Sequence, residues 1–133
     1  MREDAARRLE AGGGLLAQLR PELAAAQAFN RALEAIFQVV AEANRYVDVQ
    51  APWTLRKTDT ARMETVLYVL AETIRRVAIV LQPFMPSSMA KLLDQLAVPT
   101  DARDFAHFDA RLAPGTALPP PSCVFPRHQE QAG

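Results

Sequence analysis

The stretch Asn44-Arg45-Tyr46-Val47-Asp48-Val49-Gln50-Ala51-Pro52-Trp53-Thr54-Leu55-Arg56-Lys57 decides how this chain is read. The residue before a proline is driven out of the α region, so the helical pattern carrying Asn44 and Asp48 is predicted to end near Gln50 or Ala51. Trp53, the one tryptophan, then falls on a turn just past the helix end, with Arg56 and Lys57 close behind. A flat apolar ring beside two cations suits stacking on a nucleic-acid base, with the cations left for phosphate. The same residues also allow Trp53 to fold back and close the end of a bundle, its indole N–H then needing a partner. Both readings stand at this point.

Upstream of the corner, Phe29, Leu33, Ile36, Phe37, Val40, Ala43 and Val47 recur as one apolar stripe and predict a helix over 29–49. Asn44 lies on that stripe and Asp48 one turn beyond it. A polar side chain in an apolar seam must find hydrogen bonds, so Asn44 is either a bolt to neighbouring backbone or a base reader at the open end, and the residues favour the bolt. Further back, residues 1–11 offer a short helix little to bury, Gly12-Gly13-Gly14 is predicted to break it, and Leu15, Leu16, Leu19 and Leu23 resume a face that Pro21 starts or kinks.

Downstream, Thr58-Asp59-Thr60 supplies N-cap residues for a helix over 61–82 with Met63, Val66, Leu67, Leu70, Ile74, Val77, Ala78 and Leu81 as its stripe. Arg75 and Arg76 are assigned to its surface. Pro83 ends it, and Met85-Pro86-Ser87-Ser88 opens another carrying Met89, Leu92, Leu93 and Leu96 as far as Val98-Pro99. Beyond that, Phe105, Phe108 and Leu112 are expected to anchor an irregular tail, Pro119-Pro120-Pro121 to be extended polyproline, and Phe125 to dock back on the bundle.

Composition agrees with packed helices. Half of the 133 residues are hydrophobic, alanine is common and aromatic residues are only 7%, so the fold class is all-α and one core is expected. Fifteen basic and fifteen acidic residues leave no net charge, which excludes a broad positive field for sequence-independent nucleic-acid binding; any such contact must be local. One cysteine and two histidines leave no intramolecular disulfide and no zinc-ligand spacing. No signal segment or membrane-length apolar run is present, which points to a cytoplasmic chain.

The pattern N-R-Y-V-x-x-x-x-P-W-x-L-x-K resembles a segment of the anticodon-binding domain of bacterial methionyl-tRNA synthetases. The likeness continues in Glu72, Thr73, Arg75, Leu81 and Gln82-Pro83-Phe84-Met85-Pro86, and ends in Val124-Phe125-Pro126-Arg127, similar to that family's L-F-P-R. It covers roughly residues 15 to 128. The resemblance implies a helical bundle of the class I synthetase anticodon-binding type over 15–128, with a poorly ordered or short helical lead-in over 1–14 and a disordered tail over 129–133. It also implies that Trp53 stacks on a splayed anticodon base, that Pro52 shapes the turn, and that Asn44 and Asp48 match the family's functional Asn and Asp. The carboxylate of Asp48 accepts but cannot donate, so it would act as a discriminator. Arg127 is a further candidate for the anticodon stem or loop.

The implied partners are methionine tRNA and the catalytic domain of a parent methionine–tRNA ligase, with no membrane. The chain departs from the family in two respects. No stretch matches the family's first helix, which bears an Asn and an Arg, and the H-I-G-H and K-M-S-K-S type sequences that use ATP are lacking. No cofactor is therefore expected in this chain, ATP belonging to the absent catalytic domain. Two other readings are the helical domain of another class I synthetase and a helical protein-interaction module.

Overall fold

The computed structural model describes residues 29–127 together with Ala5, Arg7, Gly14 and Leu15. The predicted lead-in over 1–14, the Leu16, Leu19 and Leu23 face with Pro21, and the tail over 129–133 otherwise lie outside the described residues. Over residues 29–127 the α-helices are, in order, α1 (Phe29–Gln50), α2 (Pro52–Thr58), α3 (Thr60–Leu81) and α4 (Pro86–Gln95). A single 3₁₀ turn, Phe105–His107, interrupts the irregular segment after α4, and no strand occurs among the described residues. The all-α class is as the sequence implies.

Helix α3 is the spine, with α1, α2 and α4 each packed against it. The larger apolar cluster joins Ala32 and Ile36 of α1, Val77–Leu81 of α3, Met89 and Leu93 of α4, and Phe108 of the tail. A smaller cluster at the other end gathers Ala5, Tyr46, Val66 and Val69, with Leu55 and Leu70 against it. Gly14 is helical and is followed by Leu15, which is 1% exposed; burial of that leucine offsets the roughly 1 kcal/mol helix penalty of a glycine, while the predicted break at Gly12 and Gly13 lies outside the described residues.

The helix ends follow local chemistry. Pro52 stops α1 at Gln50 and opens α2, where its fixed φ and missing N–H suit the first helical position. Asp59 caps α3, its carboxylate accepting from the Arg62 amide at 3.0 Å. Helix α4 closes one turn before Val98: Ala97 is left-handed at φ 56°, and the Val98 amide donates to Leu93 O at 3.1 Å.

Two expectations about faces are corrected. In α1 the buried residues are Ala32, Ile36 and Tyr46, whereas Phe29 and Phe37 are 61% and 55% exposed. The side turned to α3 is therefore rotated from the predicted stripe, and Phe29 finds only an edge contact with Phe84, 5.9 Å between centroids. In α3, Leu67 and Ile74 are exposed while Glu72, Arg75 and Arg76, the arginines predicted at the surface, are 0%, 1% and 3% exposed.

The reason is the tail. Arg75 pairs with Glu72 and donates to the carbonyls of His107 at 3.1 Å and Phe108 at 2.7 Å, and Glu72 accepts from the Leu112 amide at 3.0 Å. The Arg76 guanidinium stands 5.5 Å over the Phe108 ring and 3.3 Å from Glu72. Burial holds the Arg76 pKa below its ordinary value, against the opposing pull of Glu72. Of the three predicted anchors, Phe108 is buried and Leu112 half-buried, while Phe105 stands at the surface, 36% exposed. Gln82 and Arg103 add further ties, Gln82 Nε2 donating to Arg103 O and Arg103 to Val98 O and Asp94.

At the exposed tip of this segment Asp104 caps the 3₁₀ turn, accepting from the His107 amide at 3.1 Å and hydrogen-bonding the His107 ring at Nδ1. The ring bond, helped by the amide, holds the Asp104 carboxyl below the usual carboxylate range. A carboxylate favoured in the native state stabilises above its unfolded pKa, and the contribution fades as pH falls through the lowered native value. The His107 amide resonance is thus expected to titrate with a midpoint below about 4, the ordinary aspartate value. A midpoint at or above that value would contradict the bond.

Candidate nucleic-acid interface

Trp53 is the second residue of α2, not part of an open turn, and is 62% exposed. No ring, hydrogen-bond or ionic partner holds its side chain among the described residues. It does not close the end of the bundle. Pro52 beside it is buried, and Tyr46, 4% exposed, packs with Val66 and Val69.

Asn44 and Asp48 are both exposed and stand four residues apart on one face of α1, six and two residues before its end at Gln50. The Asn44 side chain makes no hydrogen bond among the described residues, so it does not serve as the structural bolt that the sequence favours. It faces outward because the side of α1 turned to α3 is the Ala32, Ile36 and Tyr46 side. Asn44 instead lies on the wall of an apolar groove of about 600 Å³ with Phe37, Val40, Val47, Ile74 and Met89. Phe125, at the end of the tail, lines the same groove while staying 62% exposed, and Arg127 two residues on is exposed without a partner among the described residues. Arg56 and Lys57 occupy the last turn of α2, where cations are favoured by the helix dipole.

Gln50 and Ala51, read in the sequence only as the helix end, and Arg62, which sequence reasoning passed over, build the corner itself. Ala51 is the single link between α1 and α2 and sits in the left-handed region at φ 45°, ψ 64°. That conformation costs an L-residue roughly 1–2 kcal/mol. Arg62, 9% exposed, donates from Nη2 to Gln50 Oε1 at 2.7 Å and so ties the last residue of α1 to the first turn of α3. One signal was available: a one-residue link between a helix ended by Pro52 and a helix begun by it leaves Ala51 no regular conformation. Nothing in the sequence pairs Gln50 with Arg62, twelve positions apart.

Among the described residues no cluster of His, Cys, Asp and Glu is arranged to hold a metal ion, and no helix is long and apolar enough to cross a membrane. An exposed aromatic ring, two exposed polar side chains on a neighbouring helix face and two cations can together stack one base and contact its edge.

The family model for the anticodon binding domain of methionyl tRNA ligase matches residues 9–132. The chain belongs to that family. It is 62% identical over 111 residues to the methionine–tRNA ligase of Mesorhizobium japonicum, covering 82% of this chain and 22% of that protein. It is 55% identical over 122 residues to the enzyme of Rhizobium meliloti, covering 90% of this chain and 23% of that protein. The fold superposes on apo Mycobacterium tuberculosis methionyl-tRNA synthetase with a TM-score of 0.89 at 46% identity, covering 95% of this chain and 26% of that one. This anticodon-binding domain therefore spans about a quarter of the length of the relatives it matches. Its family match begins at residue 9, ahead of the region from residue 15 where the sequence resemblance starts.

Proposed function

We propose that this domain recognises the anticodon of methionine tRNA as part of a cytoplasmic methionine–tRNA ligase whose catalytic domain lies elsewhere in the parent protein. Trp53 stacks on a splayed anticodon base, Asn44 hydrogen-bonds a base edge, and Asp48 rejects acceptors and phosphate that approach wrongly. Pro52 shapes the corner, and Arg127 contacts the stem or loop. This chain needs no cofactor of its own, ATP being used by the catalytic domain.

The observation that carries the reading is the exposure of Trp53, a large ring left in solvent at a helix junction, just past the helix that carries exposed Asn44 and Asp48. A neutral chain gains little from long-range attraction, so affinity must come from this local patch. A base stacked on an aromatic side chain contributes about 1–3 kcal/mol, which is roughly 5- to 150-fold in affinity.

Trp53 is the only tryptophan, so its fluorescence reports the site directly. Titration with a methionine anticodon stem-loop is expected to quench it, and a loop with its first anticodon base changed is expected to quench it less at equal concentration. Trp53→Ala should weaken binding of the first loop by about 5- to 150-fold while leaving thermal stability nearly unchanged. Equal quenching by both loops, or none by either, would overturn the reading.

A further inference from the structure

We propose that left-handed Ala51, next to a Gln50 held by Arg62, is a positioning residue that fixes how α2, and with it the Cα–Cβ bond of Trp53, leaves the end of α1 before RNA arrives. The inference rests on the anticodon reading and adds how the ring is aimed. Trp53 has no hydrogen-bond, ionic or ring partner among the described residues, so the backbone sets the direction in which its side chain leaves α2. That backbone is held at every step. The Ala51 amide donates back to Val47 O at 2.9 Å, and the Ala51 carbonyl accepts from the Thr54 amide at 2.9 Å and from Thr54 Oγ1 at 2.7 Å. Pro52, which follows, is buried and has φ fixed by its ring. Just before Ala51, the Gln50–Arg62 bond fixes the end of α1 to the start of α3.

A strained left-handed residue persists only where its surroundings over-determine it, and such residues cluster where a rigid geometry is used. A glycine would take this conformation without strain, and would do so at the cost of a looser corner. Alanine at this position therefore favours one orientation of α2, and with it one exit direction for the Trp53 side chain. A ring aimed in advance spares binding the ordering of the corner.

The test uses the whole chain and the variants Ala51→Gly, Gln50→Ala and Gln50→Glu, the last retaining an acceptor for Arg62. Time-resolved anisotropy of Trp53 without RNA reads how tightly the ring is held, and binding of the methionine anticodon stem-loop reads the consequence. Ala51→Gly and Gln50→Ala are expected to lower the limiting anisotropy. If the competent fraction falls to between about one third and one tenth, affinity weakens by about 3- to 10-fold. Ala51→Gly should do this with its melting temperature unchanged or raised, opposite in sign to a merely structural loss, and Gln50→Glu should restore both readouts. Unchanged anisotropy in Ala51→Gly and Gln50→Ala overturns the clamp whatever the RNA result. Lowered anisotropy with wild-type affinity overturns the positioning role. If the wild-type chain binds no stem-loop, the anticodon reading fails and the positioning role falls with it, a result told apart by anisotropy that still responds to the variants.

Discussion

Glu72→Ala is expected to destabilise the domain by about 3–5 kcal/mol, because it leaves two buried arginines without the carboxylate they share. Arg75 and Arg76 are 1% and 3% exposed, and both lie within ion-pair reach of Glu72, itself 0% exposed. A domain of this size has a total stability of the order of 5–15 kcal/mol, so the melting temperature should fall on the order of 10–20 °C. Many buried ion pairs can be replaced by apolar residues at little cost, but this one has other duties. Arg75 also satisfies the carbonyls of His107 and Phe108, and Glu72 satisfies the Leu112 amide. An apolar replacement of Glu72 and Arg75 together would leave these three backbone groups unpaired, so it should not rescue the loss. Glu72→Gln, which keeps acceptor oxygen, should lose less than Glu72→Ala. Urea or thermal unfolding checks each variant, and a loss below about 1 kcal/mol for Glu72→Ala would contradict the account.

Phe108→Ala should cost about 3–5 kcal/mol, the usual range for deleting a buried phenylalanine. The ring is 1% exposed, packs into the larger apolar cluster and lies under the Arg76 guanidinium. Its removal opens a cavity between α3 and the tail and withdraws a cation–π contact from an arginine already short of solvent. The damage should be uneven. Hydrogen exchange of the amides over 104–112 should rise well before that of α3, since the tail would then be held chiefly by the Arg75 bonds and by Tyr68, whose hydroxyl donates to Leu112 O at 2.8 Å. Phe108→Leu should recover most of the stability. Equal acceleration of exchange in tail and spine would show instead that the tail unfolds only with the whole domain.

The two stability predictions and the Trp53 prediction separate cleanly in the molecule. Glu72 and Phe108 act on the junction between α3 and the tail, whereas Trp53 is exposed at the α1–α2 corner and contributes little to the core. Loss of binding with intact folding is therefore available at the corner and not at the clasp.

Much of this was legible in order along the chain. Pro52 terminates α1 and starts α2 because its ring fixes φ and removes a donor, Asp59 caps α3 because a short carboxylate reaches the Arg62 amide, and α3 closes just ahead of Pro83. These are local effects, each decided within a few residues. The same holds for the position of Trp53 just beyond a helix end, and the family likeness rested on those same residues and on the spacing that the proline imposes.

What lies across a helix is different in kind. Adjacent arginines on α3 carry no local mark that a tail will cover them, and only the carbonyls of His107 and Phe108, more than thirty residues on, decide that they are buried. The apolar positions of α1 outnumber the surface that α3 offers, so packing chose Ala32, Ile36 and Tyr46 and left Phe29 and Phe37 outside. That same choice turned Asn44 outward. Helix limits and the corner were set by the sequence through backbone sterics and capping, whereas burial, the clasp and the facing of Asn44 were set by tertiary contacts, because hydrophobic periodicity states which residues share a side and not which side finds a partner.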